Sequence, residues 1–232
     1  MKKRAYISLI LSVLMVLSIL TGCGAKEPEA GTITPTDAPE AQEKEVSLGR
    51  MEGGVYTNPY AGFGCSLDSS WTFYTAEELQ ELPENTKELL ADSELGETMS
   101  EYTQITDMMA ENVNDLTTIN VLYTQISMAE RLLYASMSNE DIIDATLDQM
   151  DTLISSYAQA GIMVSTMEKV TVSFLGEQRV AMKTVATLAD MDYYILQIMD
   201  YKLGGYGVTL TLSSFVEDKT ESMLELFYAV EE

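Results

Sequence analysis

The chain contains no histidine, and this absence removes several kinds of catalytic and metal site. Ser-His-Asp and Cys-His nucleophile activation both need an imidazole, so neither arrangement is available. Every histidine-containing zinc site is excluded for the same reason. The sequence also lacks an Asp-x-Asp-x-Asp-Gly calcium loop, a Walker sequence and a GxGxxG sequence. We therefore predict that the protein is not an enzyme, holds no metal and uses no cofactor.

Basic residues are scarce as well. The chain has 13 lysines and arginines against 37 aspartates and glutamates, which gives a formal net charge of −24. Such a surface repels phosphate backbones and anionic lipid headgroups. This charge excludes nucleic acid as a partner and disfavours electrostatic binding to a membrane.

The N-terminus, by contrast, has the pattern of an export signal. Three basic residues at 2–4 precede an uncharged, mostly apolar run over residues 5–20, and Cys23 follows in the sequence Leu-Thr-Gly-Cys. A basic flank, an apolar stretch and small residues at the end are typical of a secretory signal peptide. Leu-Thr-Gly-Cys also resembles the bacterial lipobox, which implies cleavage before Cys23 and acylation of its sulfur. The alternative is an uncleaved transmembrane helix, for which the apolar run is slightly short.

These features predict three segments. Residues 1–22 form a lipoprotein signal peptide, residues 23–50 a lipidated N-terminus and disordered linker, and residues 51–232 a folded domain. The linker is rich in Pro, Thr, Ala and Glu and has no apolar periodicity, and its roughly 27 flexible residues would span about 30 Å. The predicted location is the outer face of the cytoplasmic membrane, with the membrane contacted through the lipid anchor.

Only two cysteines occur, so lipidation of Cys23 leaves Cys65 without a disulfide partner. Cys65 alternates with Phe63 and Leu67 on one side of a predicted strand. A free cysteine in such a position behaves as a small hydrophobic residue. We predict that Cys65 is buried and unreactive.

The pattern of the domain predicts two clear helices and several strands. A capping box at Ser138 begins a helix that continues to Gly161, and a second helix begins near Asp218. A further capping box begins at Thr75. The predicted strands lie in a bent segment at 55–67, a hairpin at 105–126, and a meander at 164–174, 179–188, 193–202 and 206–214.

The order of these elements resembles the PsbP-like family, including its versions in bacterial lipoproteins. The local motifs that carry the resemblance are Tyr56-Thr57-Asn58, Tyr60, Gly62-Phe63 and Trp71. One strand of the meander is apolar on both faces, and such a strand is usually covered on both. We therefore predict an α+β fold in which an antiparallel β-sheet is sandwiched between helices. The resemblance implies no shared catalytic residues, and Asp68 stands where family members often have proline.

Methionine and tyrosine are abundant, with 15 and 13 residues. Both residue types are enriched where proteins contact apolar ligands or partners, although most also fit a core. The segment 128–137 is apolar and poorly patterned, so we predict a flap or partner surface there. Candidate surface residues are Trp71, Met128, Tyr134 and Met137.

The function that these observations predict is that of a non-catalytic lipoprotein of the cell envelope. It would serve as an accessory module that binds an envelope protein. The alternative is a protein that binds a small apolar ligand between sheet and helix.

Overall fold

Antiparallel β-structure dominates the protein. A computed structural model describes residues 47–80, 104–159, 161–203 and 205–230. Strands hold 52% of these residues and helices 24%. Every pair of neighbouring strands is antiparallel.

The larger sheet has seven strands in the order β4-β5-β6-β10-β9-β8-β7. Its members are β4 (Thr72–Phe73), β5 (Gln104–Asn112), β6 (Thr117–Gln125), β7 (Ile162–Phe174), β8 (Glu177–Leu188), β9 (Met191–Leu203) and β10 (Tyr206–Phe215). The last four strands form a meander joined by tight turns. Leu175, Ala189 and Asp190 take positive φ in two of these turns, as two-residue hairpin loops require.

The smaller sheet has four short strands in the order β1-β2-β3-β11. These are β1 (Arg50–Glu52), β2 (Val55–Asn58), β3 (Phe63–Ser66) and β11 (Phe227–Ala229). The last of them brings the C-terminal part of the chain beside β3, where Tyr228 pairs with Gly64. A Cβ atom at Gly64 would lie 2.7 Å from the Tyr228 ring, so only glycine fits under this tyrosine.

Three helices lie between the two halves of the larger sheet in the sequence. They are α1 (Met128–Ala135), α2 (Asn139–Leu147) and α3 (Met150–Gln159). A short helix, α4 (Thr220–Met223), and a 3₁₀ turn (Leu224–Leu226) precede β11. A further helical stretch begins after Thr75, whose hydroxyl accepts from the Glu78 amide, and it runs over residues 76–80 to the end of the described range.

The two faces of the larger sheet support two separate cores. On one face, Tyr134 of α1, Ile142 of α2 and Tyr157 of α3 pack against residues of β7, β8 and β9. On the other face, the smaller sheet and the α4 region cover β5, β6 and β10. Side chains alternate between faces along a strand. In β9, Tyr193 and Ile195 therefore enter the core beneath the helices, whereas Leu196 enters the core beneath the smaller sheet.

The predicted fold class, an α+β antiparallel sheet sandwiched between helices, is therefore wrong. Among the described residues, the three helices α1 to α3 cover one face of the larger sheet, whereas a second sheet and the short helix α4 cover the other. The apolar pattern of the meander correctly indicated that both faces are buried. Such a pattern does not distinguish a covering helix from a covering sheet, because either one buries the same side chains. The resemblance to the PsbP-like family itself stays a prediction.

Two helix predictions also need correction. The helix predicted from Ser138 to Gly161 is divided at Asp148 and Gln149, although its capping box and the positive φ of Gly161 are confirmed. The helix predicted from Asp218 onward ends at Met223. Its remaining apolar residues leave the helix because Phe227 pairs with Cys65 and enters the core beside Phe63.

Candidate functional site

The structure separates the predicted surface residues. Cys23 lies outside the described residues. Trp71 is half-buried against the core beneath the smaller sheet, whereas Tyr134 and Met137 pack into the core beneath the helices. The larger sheet stands between these two cores, so Trp71 does not share a surface with the segment 128–137.

That segment forms helix α1, which exposes part of its apolar surface. The exposed fractions are 64% for Met128, 70% for Leu132 and 46% for Leu133. Met128 and Leu132 are four residues apart and therefore lie on one side of the helix. Most large apolar residues of a soluble domain are buried, so three neighbouring exposed ones mark a candidate contact surface. We call Met128, Leu132 and Leu133 the α1 surface.

Helix α1 is held firmly in place despite this exposure. Ser127 and Glu130 form a capping box, in which the Glu130 carboxylate accepts from the Ser127 amide at 2.7 Å. Tyr134 is 4% exposed, and its ring lies 5.0 Å from that of Tyr201 on β9. The segment is thus a docked helix. The capping box at 127–130 is the signal that the prediction of an unpatterned flap overlooked.

A buried polar cluster lies where the smaller sheet meets β5, and sequence reasoning missed it. Asp107 accepts hydrogen bonds from the Tyr56 hydroxyl at 2.5 Å, the Asn58 amide at 2.6 Å and the Gly49 backbone N–H at 2.8 Å. Asn58 also donates to the Tyr123 hydroxyl at 2.6 Å. Asp107 lies at a register shift between β5 and β6. No local pattern predicts this cluster, because its members come from three separate parts of the chain, namely residues 49–58, β5 and β6.

The electrostatics of this cluster follow from its burial. Loss of water raises the pKa of Asp107, while hydrogen bonds from Tyr56, Gly49 and Asn58 oppose the shift. Burial also raises the pKa of Tyr56 and of Tyr123, and the nearby Asp107 carboxylate adds to both shifts. Both phenols therefore stay protonated at neutral pH, where Tyr56 donates to Asp107 and Tyr123 accepts from Asn58.

The cluster fits a structural task better than a chemical one. Asp107 is 5% exposed, so a substrate in solution has little access to it. Its hydrogen bonds connect Asp107 in the larger sheet with Gly49 at the start of the described chain and with two residues of the smaller sheet. A Cβ atom at Gly49 would lie 2.3 Å from the Tyr56 ring, so glycine is needed for this close approach.

Cys65 is buried as predicted. It has no exposed surface and is a free cysteine. Burial raises the pKa of its thiol to about 12. Since the thiolate is the nucleophilic form, Cys65 has almost none of it at neutral pH.

The helix-facing side of the central strands carries several buried polar side chains, which do not favour binding of an apolar ligand there. Asn120 of β6, Thr211 of β10 and Gln197 of β9 form one buried row across the sheet. Cavities of about 60 Å³ and 670 Å³ lie instead on the side of the smaller sheet. The alternative function, capture of an apolar ligand between sheet and helix, stays a prediction.

Two further properties concern metals and membranes. Within residues 47–80, 104–159, 161–203 and 205–230, no three His, Cys, Asp or Glu side chains are grouped so as to hold a metal ion. In the same ranges, none of the helices has both the length and the apolarity to cross a bilayer.

No family model matches the sequence, and no curated protein matches it. A crystal structure of a protein from Bacteroides thetaiotaomicron aligns with a TM-score of 0.37 and 12% sequence identity. The alignment covers 78% of this chain and 50% of that one, so this chain spans about half the length of that protein. A likeness of this size carries no conclusion about fold or function.

Proposed function

We propose that the protein is a non-catalytic, lipid-anchored module of the bacterial cell envelope that acts by binding a protein partner. The observation that carries the partner-binding role is the α1 surface. Its three apolar side chains are exposed on a helix whose other side is fixed to the sheet by Tyr134. A rigid apolar surface of this kind costs little conformational entropy when a partner covers it.

The location rests on the N-terminal sequence. A basic flank, an apolar run and Leu-Thr-Gly-Cys together support acylation of Cys23. The strongly acidic chain has little electrostatic attraction to anionic lipids, so acyl chains would supply the membrane attachment.

Metabolic labelling tests the location. Cells that express the full chain are fed an alkyne-bearing fatty acid, and the immunoprecipitated protein is examined for label. The wild-type chain is expected to carry label and to fractionate with membranes, while Cys23→Ala is expected to carry none. A labelled Cys23→Ala chain, or an unlabelled wild-type chain, contradicts lipidation at this residue.

Site-specific photo-cross-linking in living cells tests the partner role. A photoreactive amino acid is placed at Leu132, and a matched control carries it at Val216. Both positions are well exposed, at 70% and 62%. Val216 directly follows the last residue of β10. Helix α1 lies at the other end of this strand, because its Arg131 guanidinium is 4.0 Å from a Cβ built at Gly205, which directly precedes β10. Ten residues of strand place these two ends about 30 Å apart.

We expect one discrete cross-linked species from position 132 and none from position 216. The species should disappear when Met128→Glu is introduced beside the probe, because a charge there would have to be desolvated on binding. Equal cross-linking from both positions, or no species at position 132, contradicts a partner at the α1 surface.

A further inference from the structure

An open groove of about 670 Å³ lies between the edges of the two sheets, on the side of the larger sheet opposite helix α1. The end of β7 and the β7–β8 turn contribute Val172 and Leu175, and the C-terminal segment contributes Leu224 and all of β11. Glu221 and Glu225 also line the groove. Since this groove shares no lining residue with the α1 surface, an inference from it goes beyond the proposed function.

Strand β11 presents an unpaired edge to this groove. It is the terminal strand of the smaller sheet, and all three of its residues line the groove. The Val230 amide donates to the Gly62 carbonyl at 3.0 Å. Hydrogen-bonded pairs alternate in an antiparallel ladder, so Tyr228 bonds toward β3 while Phe227 and Ala229 direct their backbone groups away from it.

One of these outward groups is already used within the chain. The Phe227 N–H donates to the Leu224 carbonyl at the end of the 3₁₀ turn. Within the described residues, the groups that remain for an added strand are the Ala229 N–H, the Ala229 carbonyl and the Phe227 carbonyl. In the described part of the chain, no strand pairs with this edge. An exposed edge of this kind binds extended peptides by strand addition.

The charge of the groove selects the kind of peptide. Asp218, Glu221 and Glu225 lie in one short segment, and Lys183 forms ion pairs with Asp218 and Glu221 at 2.7 and 2.9 Å. Glu225 has no ion pair within the described residues. The groove rim thus carries more negative than positive charge, which favours a lysine or arginine on the bound segment.

The strained turn beside the groove is consistent with a binding role. Leu175 has φ of 55°, a left-handed conformation that leucine rarely adopts. Asparagine or glycine is the usual residue in a two-residue loop of this type. Leucine at this position keeps an apolar side chain on the groove wall.

We propose that the groove binds an extended, basic peptide segment of a partner protein, which adds as a strand to the free edge of β11. Apolar side chains of the segment face Val172, Leu175 and Leu224, and a basic side chain reaches Glu225. The chain's own residues 24–46 contain more carboxylates than lysines, and a second copy would bring its own Glu221 and Glu225. Charge therefore disfavours both of these as occupants.

The test uses the full chain in neutral maltoside micelles and fluorescent synthetic peptides, with empty micelles as background. The probe is an acetylated, amidated hexapeptide of alternating valine and lysine. One comparison peptide has glutamate in place of lysine, and a second has proline in place of the central valine. Fluorescence anisotropy is expected to show binding of the basic peptide, at least about fivefold weaker binding of the acidic one, and loss of binding with proline.

Two variants assign the binding to the groove. Ala229→Pro removes the N–H that would bond to the peptide, and an edge strand tolerates proline where its N–H faces solvent. Glu225→Lys reverses the selecting charge on an exposed residue. Each variant should weaken binding of the basic peptide about fivefold. The matched control is Glu52→Lys, on the opposite edge of the smaller sheet, which should leave the affinity for this peptide unchanged.

The outcomes are distinct. Weaker binding of the basic peptide to Glu225→Lys than to Glu52→Lys supports the proposal, even if Ala229→Pro fails to fold. Absence of binding by the basic peptide overturns the proposal, as does binding that neither groove variant weakens. A concentration-dependent dimer in sedimentation experiments that Ala229→Pro abolishes would assign the edge to a second copy instead, and would also overturn it. None of these results depends on cross-linking from Leu132.

Discussion

Asp107 is the residue that connects the start of the described chain to the larger sheet. Its carboxylate accepts from the Gly49 amide, at the end of the predicted linker, and from the Tyr56 hydroxyl of β2. If Cys23 is the membrane attachment, any pull on the linker reaches the domain at this point. The cluster thus gives a buried charge a structural role without placing it in a catalytic site.

Replacing Tyr56 with phenylalanine should destabilise the protein in a pH-dependent way. The change removes a hydrogen bond to a buried carboxylate, which costs about 2 kcal/mol of unfolding free energy when Asp107 is ionised. The Asp107 pKa in the folded state lies above its ordinary value of 3.8. The stability contributed by this group is therefore complete below that value and declines as pH rises through the folded-state pKa.

Loss of the Tyr56 hydroxyl raises the Asp107 pKa further, so the difference between wild type and Tyr56→Phe should widen from pH 5 to pH 8. Urea denaturation across this range measures it. The control is Tyr228→Phe, whose hydroxyl makes only long contacts at 3.2 and 3.4 Å near the surface, and whose effect should be below about 0.5 kcal/mol. A pH-independent cost at Tyr56 would show that Asp107 is not the group being stabilised.

Val216 offers a stabilising substitution. It has φ of 69°, although it is β-branched, and its side chain is 62% exposed. A β-branched residue in the left-handed region costs about 1–3 kcal/mol, and little packing offsets this cost here. Val216→Gly should therefore raise the unfolding free energy by about 1 kcal/mol, as measured by thermal and urea denaturation.

The matched control is Val113→Gly, at an exposed valine that is not among the residues with positive φ. Glycine there adds freedom to the unfolded chain without relieving strain, so the protein should lose stability. Equal effects at the two valines would contradict the strain at Val216.

At the scale of elements, the long strands were predictable, the helices only partly so, and the short strands β1, β4 and β11 not at all. The meander strands lie within a few residues of their predicted bounds, because tight turns and alternating side chains are local signals. The prediction of the C-terminal helix was wrong because Phe227 pairs with Cys65 of β3, about 160 residues away in sequence. No local pattern reveals such a contact. Helix α1 was missed because the capping box of Ser127 and Glu130, which is a local signal for a helix start, was overlooked.

The capping box of α1 can be tested separately from that of α2. Ser127→Ala removes the side chain that accepts from the Glu130 amide, which should cost about 1 kcal/mol of local stability. Amides of Met128–Ala135 should then exchange with deuterium about fivefold faster in the native protein. Ser138→Ala is the control and should accelerate exchange in Asn139–Leu147 instead. Faster exchange in both helices from either change would show that they unfold as one unit.

At the scale of the whole molecule, the sequence indicated a sheet that is covered on both faces, but it did not indicate which elements cover each face. The α1 surface, by comparison, contains Met128 from the predicted candidates, while Tyr134 and Met137 proved to be the residues that fix the helix. Leu132 and Leu133 complete the surface, and only the helix geometry shows that Leu132 lies one turn from Met128. A binding surface is thus harder to read from sequence than a core, because exposure depends on how the whole chain packs.

The net charge of −24 leads to a prediction about salt. Described ion pairs, such as Lys169 with Asp144 and Lys219 with Asp115, leave most carboxylates unneutralised, so repulsion among them opposes the compact state. Raising NaCl from 10 mM to 500 mM shortens the screening length from about 30 Å to about 4 Å. The free energy of unfolding at pH 7.5 should rise by about 1 kcal/mol, as measured by urea denaturation. Glu52→Gln and Glu225→Gln together should reduce this dependence on salt, whereas a fall in stability with added NaCl would show that attractive ion pairs outweigh the repulsion.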